Sequence, residues 1–169
     1  MAETAQKDAS KNDTEMSDAS MSDASMSDAS MSDVDKVREF FRLQYAGDYE
    51  EGFRRFALDG FRFVVSSADN PGLREAIPWA GHTHKGREGY ENLYNQLFGE
   101  FDVDTFEPRS FAEADGKVYV EGHFRFVHKT TGKVADSDWC ARFDMEGGRI
   151  QGGQFFENTF DVATARVAD

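Results

Sequence analysis

The sequence predicts an α+β domain, helices first and an antiparallel sheet after them, behind a disordered N-terminal tail. Three observations carry this expectation. Apolar residues recur at spacings of three and four up to Phe56 and again from Tyr90 to Phe98, whereas from Phe101 onward they alternate. Between the two regimes, Trp79 to Gly89 reads Trp-Ala-Gly-His-Thr-His-Lys-Gly-Arg-Glu-Gly, an extended stretch that turns through Gly86 into a helix headed by Arg87-Glu88. The first 32 residues have neither pattern: they contain no aromatic residue and no β-branched aliphatic one.

That tail is built from a pentapeptide. Met-Ser-Asp-Ala-Ser stands at 16–20, 21–25 and 26–30, and degenerates to Met-Ser-Asp-Val-Asp at 31–35. A period of five advances about 140° per repeat on a helix, so the methionines form no stripe. The segment cannot bury enough surface to offset its chain entropy. It reads as a disordered tail grown by duplication of a short unit. A sharper alternative is a phosphorylatable interaction tail, since Ser20 and Ser25 each have an acid three residues on.

The elements follow in order. Ser32 with Asp35 marks a helix start, and Val34, Val37, Phe40, Phe41 and Tyr45 give its apolar stripe. Asp48 caps a second helix through Phe53 and Phe56, which Asp59-Gly60 is expected to end. Phe61, Phe63 and Val65 form a strand, and residues 66–78 a loop with Asn70-Pro71-Gly72 and Ile77-Pro78. The third helix starts at Gly86 and buries Tyr90, Leu93, Tyr94, Leu97 and Phe98. Phe101 to Phe111 is the next strand, with Pro108 marking an edge or bulge. Asp115-Gly116 turns into a strand whose Val118, Val120, Gly122, Phe124 and Phe126 share one face, with Tyr119, Glu121, His123 and Arg125 on the other. Beyond Thr131-Gly132, Trp139, Ala141 and Phe143 share a face opposite Asp138, Cys140 and Arg142. Gly147-Gly148 turns into a last strand, Ile150 to Thr159, bent at Gly152-Gly153.

Bulk properties narrow the function. The chain has 169 residues, 16 of them Phe, enough for one domain with a thick apolar interior. A formal charge of −13 argues against nucleic acid and anionic membranes. No apolar run approaches the roughly 20 residues that span a bilayer. The polar N-terminus lacks an apolar signal core, which predicts an intracellular, cytoplasmic protein. A single cysteine, Cys140, fits a reducing compartment.

Pro78-Trp79-Ala80-Gly81, then Gly86-Arg87-Glu88-Gly89, then Gly148-Arg149-Ile150 leading to Phe156-Glu157-Asn158-Thr159, set in this order of elements, resembles the SnoaL-like branch of the nuclear-transport-factor-two-like superfamily. The resemblance covers residues 33–165 and leaves the tail, 1–32, and the end, 166–169. It implies a cone-shaped curved antiparallel sheet packed on three helices, with a pocket at the open end. It also implies a homodimer through the outer sheet face, where Tyr119, His123, Arg125 and Arg142 lie. Members isomerise, cyclise, dehydrate, hydrolyse epoxides or catalyse nothing, so the fold does not choose among them. The steroid-isomerase constellation does not fit. Its tyrosine falls at Phe40, its base near Phe63-Val64 and its oxyanion acid near Trp139, with Asp138 on the wrong face.

The candidates that remain are few. Glu157, between aromatic residues near the end of the last strand, becomes an acid or base if it faces the cone; otherwise it is a rim carboxylate. His82 and His84 share a face if extended. A metal would need a third ligand that the sequence does not offer, so His84 is the candidate pocket histidine and no metal is expected. Trp79 and Trp139 are either pocket walls with an indole donor or core plugs. Phe63, Phe124, Phe126 and Phe155 can face inward with them. Cys140 has no histidine nearby and is a poor nucleophile. Gly86-x-x-Gly89 lacks the other glycines of a nucleotide loop. The expectation is a pocket for a small apolar organic ligand. Glu157 and His84 would move protons without a cofactor, or the domain is a non-catalytic binding or dimerisation module.

The tail reading has a direct check. A chain starting at Met31 is expected to melt within a few degrees of full length; a large loss of stability would mean the tail packs on the domain.

Overall fold

Ser32 starts the first helix as the sequence suggests: its hydroxyl accepts the Asp35 N–H at 3.1 Å. The computed structural model describes residues 27–168. Most of the expected disordered tail, including Ser20 and Ser25, lies outside the described residues. Within the tail, residues 27–30 form a helical turn. Helix α1 is Asp33–Tyr45, and α2 is Tyr49–Phe56, capped by the Asp48 carboxylate. Strand β1 is Ala57–Val65, α3 is Pro71–Ala76, β2 is Thr83–Lys85 and α4 is Gly86–Glu100. Four long strands follow, β3 Phe101–Ala114, β4 Lys117–His128, β5 Val134–Glu146 and β6 Arg149–Phe156, and then α5 Thr159–Arg166.

The α+β class and the curved sheet are as expected, and four details differ. Helix α2 ends at Phe56, not at Asp59-Gly60; those two lie in a bulge of β1 between Ala57, opposite Ile150, and Arg62, opposite Gly152. The loop after β1 holds α3, because the Asn70 side chain accepts the Leu73 N–H at 3.0 Å and Pro71 sits at the first helical turn. The last strand stops at Phe156, and Val162 and Ala165, three apart, bury the inner side of α5. Helices thus number more than the expected three. The sheet is mixed: its order is β2-β1-β6-β5-β4-β3, and β1 runs parallel to β6. Alternation within β1 sets its faces, but the connections through α3, β2 and α4 set its direction, and local pattern does not encode that.

The meander from β3 to β6 has the predicted faces. Val118, Val120, Phe124, Phe126, Trp139, Ala141 and Phe143 are all buried, while Tyr119 is 37 % exposed on the outer face. The register shifts beside Pro108 and again beside Gln151, between Asp144–Gly152 and Met145–Ile150. Gly152 and Gly153 are there for close approach rather than for a turn. A Cβ on Gly152 would lie 2.0 Å from the Arg62 carbonyl oxygen, and one on Gly153 2.4 Å from that of Arg142. Helices and sheet are tied by long cations. Lys36 Nζ donates to Gly148 O at 2.9 Å, and Arg149 Nη2 to Ala57 O at 2.6 Å and Arg54 O at 3.1 Å.

Candidate functional site

The inner face of the sheet is covered by rings, and they leave a gap. Phe63 and Val65 of β1, Phe106 of β3, Phe126 of β4 and Phe155 of β6 bound a cavity of about 40 Å³. Leu93, Tyr94 and Leu97 of α4 cover it, and Trp79 and Val162 close its sides. The lining residues with a polar side-chain atom are Glu157, Tyr94 and Trp79.

Glu157 sits at the joint between β6 and α5. Along β6, Phe155 faces inward and Phe156, 44 % exposed, faces out, so the next residue returns inward. The chain then turns, with Thr159 N–H donating to Glu157 O at 3.0 Å, and Val162 of α5 lines the same cavity as Glu157. The residue as a whole is half-buried, but its Oε1 is shut off from solvent and has no protein hydrogen-bond partner. Burial alone pushes this carboxyl from 4.5 up to about 7.

Tyr94 is the second polar group. Its hydroxyl lies 3.2 Å from that of Tyr90, and burial drives both phenols above their ordinary range, so both stay protonated. Two hydroxyl hydrogens serve one bond, which leaves one to donate elsewhere. In the sequence Tyr94 read only as part of the apolar stripe of α4.

The other expected residues divide. Trp79, Phe63, Phe126 and Phe155 line the cavity beside Glu157. Phe124 does not; it is fully buried under Phe126, stacked at 4.3 Å between centroids. Trp139 lies behind the lining, stacked on Phe106 at 4.9 Å and packed against Phe155 at 5.0 Å. With Glu157 it borders an open groove on the far side, and its Nε1 has no partner. Phe98, expected to be buried, is 42 % exposed.

The structure does not bring His84 to Glu157. His84 is buried away from the cavity, with its Nε2 donating to Trp79 O at 2.8 Å. Burial holds its pKa below the usual value; the hydrogen bond to Trp79 opposes that, and His82 adds to it. The ring is therefore neutral near pH 7 and fixes the backbone of Trp79. His82 bonds Pro78 O at 3.0 Å in the same way. Among the described residues no cluster of three metal-ligating side chains occurs.

Comparisons with known proteins agree with this architecture. The pattern of the SnoaL-like domain matches residues 37–152. "Patulin synthesis protein F" of Aspergillus clavatus is 31 % identical over 109 residues, which is 63 % of this chain. The match spans 55 % of that relative's length. An NTF2-like protein of Burkholderia thailandensis superposes with a TM-score of 0.68 at 17 % identity, covering 81 % of this chain and 98 % of its own. TerC, co-crystallised with polyporic acid, gives 0.62 at 16 % identity, covering 79 % and 96 %. At such identities the structural likenesses establish the fold alone. No described helix is long and apolar enough to cross a membrane.

The raised Glu157 pKa predicts a pH-dependent stability. The folded chain holds this proton more tightly than the unfolded one. The penalty is therefore absent below pH 4.5, grows as pH rises, and is complete above about 7. It amounts to at most about 3 kcal/mol. Glu157→Gln is expected to melt higher than the parent at about pH 8, with the difference closing toward pH 5. A difference independent of pH in thermal melts would mean that the carboxyl is solvated.

Proposed function

This chain belongs to the SnoaL-like family, and on that premise we propose that it is a small-molecule pocket protein working by acid–base chemistry on an apolar organic compound, without an organic cofactor. The observation that carries the reading is Glu157, a carboxyl with an unpaired, solvent-shielded oxygen in an otherwise apolar cavity. A pKa near 7 keeps both of its forms populated at neutral pH. The ionised form takes a proton from a substrate carbon or hydroxyl; the neutral form returns it to a carbon or to a leaving oxygen. Tyr94 supplies a donor for an oxygen on which charge develops. Trp79, held through its backbone by His84, is a wall that orients the substrate.

This chemistry suits isomerisation, cyclisation, dehydration or hydrolysis. The names of the relatives support it: one is assigned to patulin synthesis and another was crystallised with polyporic acid, both small organic molecules. The proposal extends to a homodimer through the outer sheet face, which carries Tyr119, His123 and Arg142 as well as acids. It extends also to the cytoplasm, where the free thiol of Cys140 stays reduced.

Native mass spectrometry of the purified protein, followed by assay on the compound it carries, tests the activity. Glu157→Gln is expected to retain that compound and to lower turnover about 100-fold or more, because it keeps shape and removes the titrating proton. Undiminished turnover would sink the role of Glu157. A bound compound that is never converted would favour the non-catalytic binding module.

Light scattering tests the assembly. A dimer mass is expected at high micromolar concentration, and a monomer there rejects the interface.

A further inference from the structure

Tyr90 and Tyr94 stand one turn apart on the same face of α4, and their hydroxyl oxygens are 3.2 Å apart. Their surroundings are unequal. Tyr90 has no exposed surface, and its ring is caged by Phe40 at 5.8 Å, Phe53 at 5.7 Å, Phe61 at 5.3 Å and Phe63 at 5.0 Å between centroids. A phenylalanine would fill that cage as well, so packing does not account for the hydroxyl. Among the described residues its hydrogen-bond partner is Tyr94. Tyr94 keeps some exposed surface and lines the cavity beside Glu157. That difference sets the direction of the bond. If Tyr94 donated, the Tyr90 hydrogen would be left inside a shell of carbon with nothing to accept it. If Tyr90 donates, the hydrogen left over belongs to Tyr94, the residue that meets the cavity, where water or a ligand can take it. The two phenols respond as acceptor and donor do: the shared bond opposes the effect of burial at Tyr94 and adds to it at Tyr90.

We propose that Tyr90 is a positioning residue, which donates to Tyr94 and so makes Tyr94 a one-way donor to a carbonyl oxygen of the ligand. The inference rests on the pocket reading above and adds to it a residue and a substrate class. Tyr90 acts in two ways. It occupies a lone pair of the Tyr94 oxygen, so the Tyr94 hydrogen does not turn back along the helix. A hydroxyl that accepts one hydrogen bond also donates a stronger one, because linked bonds polarise each other. The pair therefore selects an oxygen that accepts. A ketone, aldehyde or ester carbonyl satisfies Tyr94, whereas an alkene of the same shape leaves it unpaired. A site built to hydrogen-bond an oxygen rejects the analogue lacking it more strongly than an apolar wall does. Charge that develops on that oxygen meets a hydrogen already aimed at it.

Two probes of nearly the same shape isolate this contribution. Cyclopentanone has a C=O where methylenecyclopentane has a C=CH₂. Both are titrated into the full chain by NMR, and the C=O stretch of bound cyclopentanone is read by infrared difference spectroscopy. In the parent the stretch is expected below its position in an apolar solvent. Tyr94→Phe is expected to lower the affinity ratio of ketone to alkene about tenfold and to abolish the shift of the stretch. Tyr90→Phe leaves Tyr94 in place and is expected to lower the ratio about threefold and to shrink the shift. Comparing variants removes the difference in hydrophobicity between the probes. Tyr90→Met gives a second variant without the hydroxyl should Phe not fold. Packing alone at Tyr90 would change both affinities together and leave the ratio and the stretch as they are. A ratio and stretch that respond to Tyr94→Phe but not to Tyr90→Phe overturn the positioning role and leave Tyr94 and Glu157 as described. If neither variant changes them, the donor role of Tyr94 falls too, with the Glu157 chemistry standing. If neither compound binds the parent, this inference and the pocket reading fall together.

Discussion

A curved sheet must be covered on its concave side, and here a layer of aromatic rings does it. Phe61 and Phe63 stack within 3° of parallel, Phe124 and Phe126 within 9°, and Phe106 and Trp139 within 9°. Each such pair is worth about 0.5–1.5 kcal/mol beyond the area it buries. Other features make room for the layer. Trp139 can lie flat because Gly122 opposite has no side chain; a Cβ there would sit 2.2 Å from the indole. Gly153 leaves space for the Phe63 ring, 3.1 Å from where its Cβ would be. Rigid rings on a curved surface do not tile it completely, and the cavity beside Glu157 is a gap between rings, helices and sheet.

The burial of Glu157 belongs to the joint that follows β6 more than to the strand. Helix α5 must fold back for Val162 to close the cavity, and several bonds hold it there. Arg166 grips the Glu100 carboxylate, with Nη2 to Oε1 at 2.9 Å, and also donates to Ala76 O. Thr131 Oγ1 donates to Ala165 O at 2.6 Å. The Arg166 guanidinium lies 5.7 Å from the Trp79 ring centroid, so the same cation touches the latch and a wall of the cavity. α5 is short, and by itself marginal in water, so these contacts decide whether the carboxyl is desolvated.

Most of this fold was legible because each long element repeats its signal. The alternation from Val118 to Phe126 and from Trp139 to Phe143 states both faces of β4 and β5, and Gly86 states the start of α4. What was not legible depends on tertiary contact. The parallel pairing of β1 with β6 joins segments some ninety residues apart, Phe63 with Gly153. Helix α5 has a weak stripe that reads as the tail of a strand. For the site, the sequence left Glu157 open between facing the cone and standing at its rim, and it lines the cavity. His84 was ambiguous because a histidine on an apolar face serves a carbonyl as readily as a ligand. Gln44 had a signal: a polar residue three places after Phe41 stands on the helix's inner stripe, where chemistry and pattern disagree.

Such disagreements are informative in proportion to how completely the group is left without a partner. Several buried polar atoms lack a bond, and some belong to side chains otherwise engaged. Arg142 pairs with Asp144, Nε to Oδ1 at 3.1 Å, and Arg149 holds two backbone carbonyls. Gln44 has neither polar atom bonded, and Glu157 has a charged form that burial alone disfavours. An unsatisfied buried group costs about 1–3 kcal/mol, a sizeable part of the roughly 5–15 kcal/mol that stabilises a domain. Of these groups Glu157 lines the cavity walled by Tyr94, Leu97, Phe106 and Phe126, and a carboxyl there is not what packing for stability alone would produce. An apolar residue at that position would close the gap and firm the core. A cost of this kind is what the acid–base role proposed for Glu157 would require.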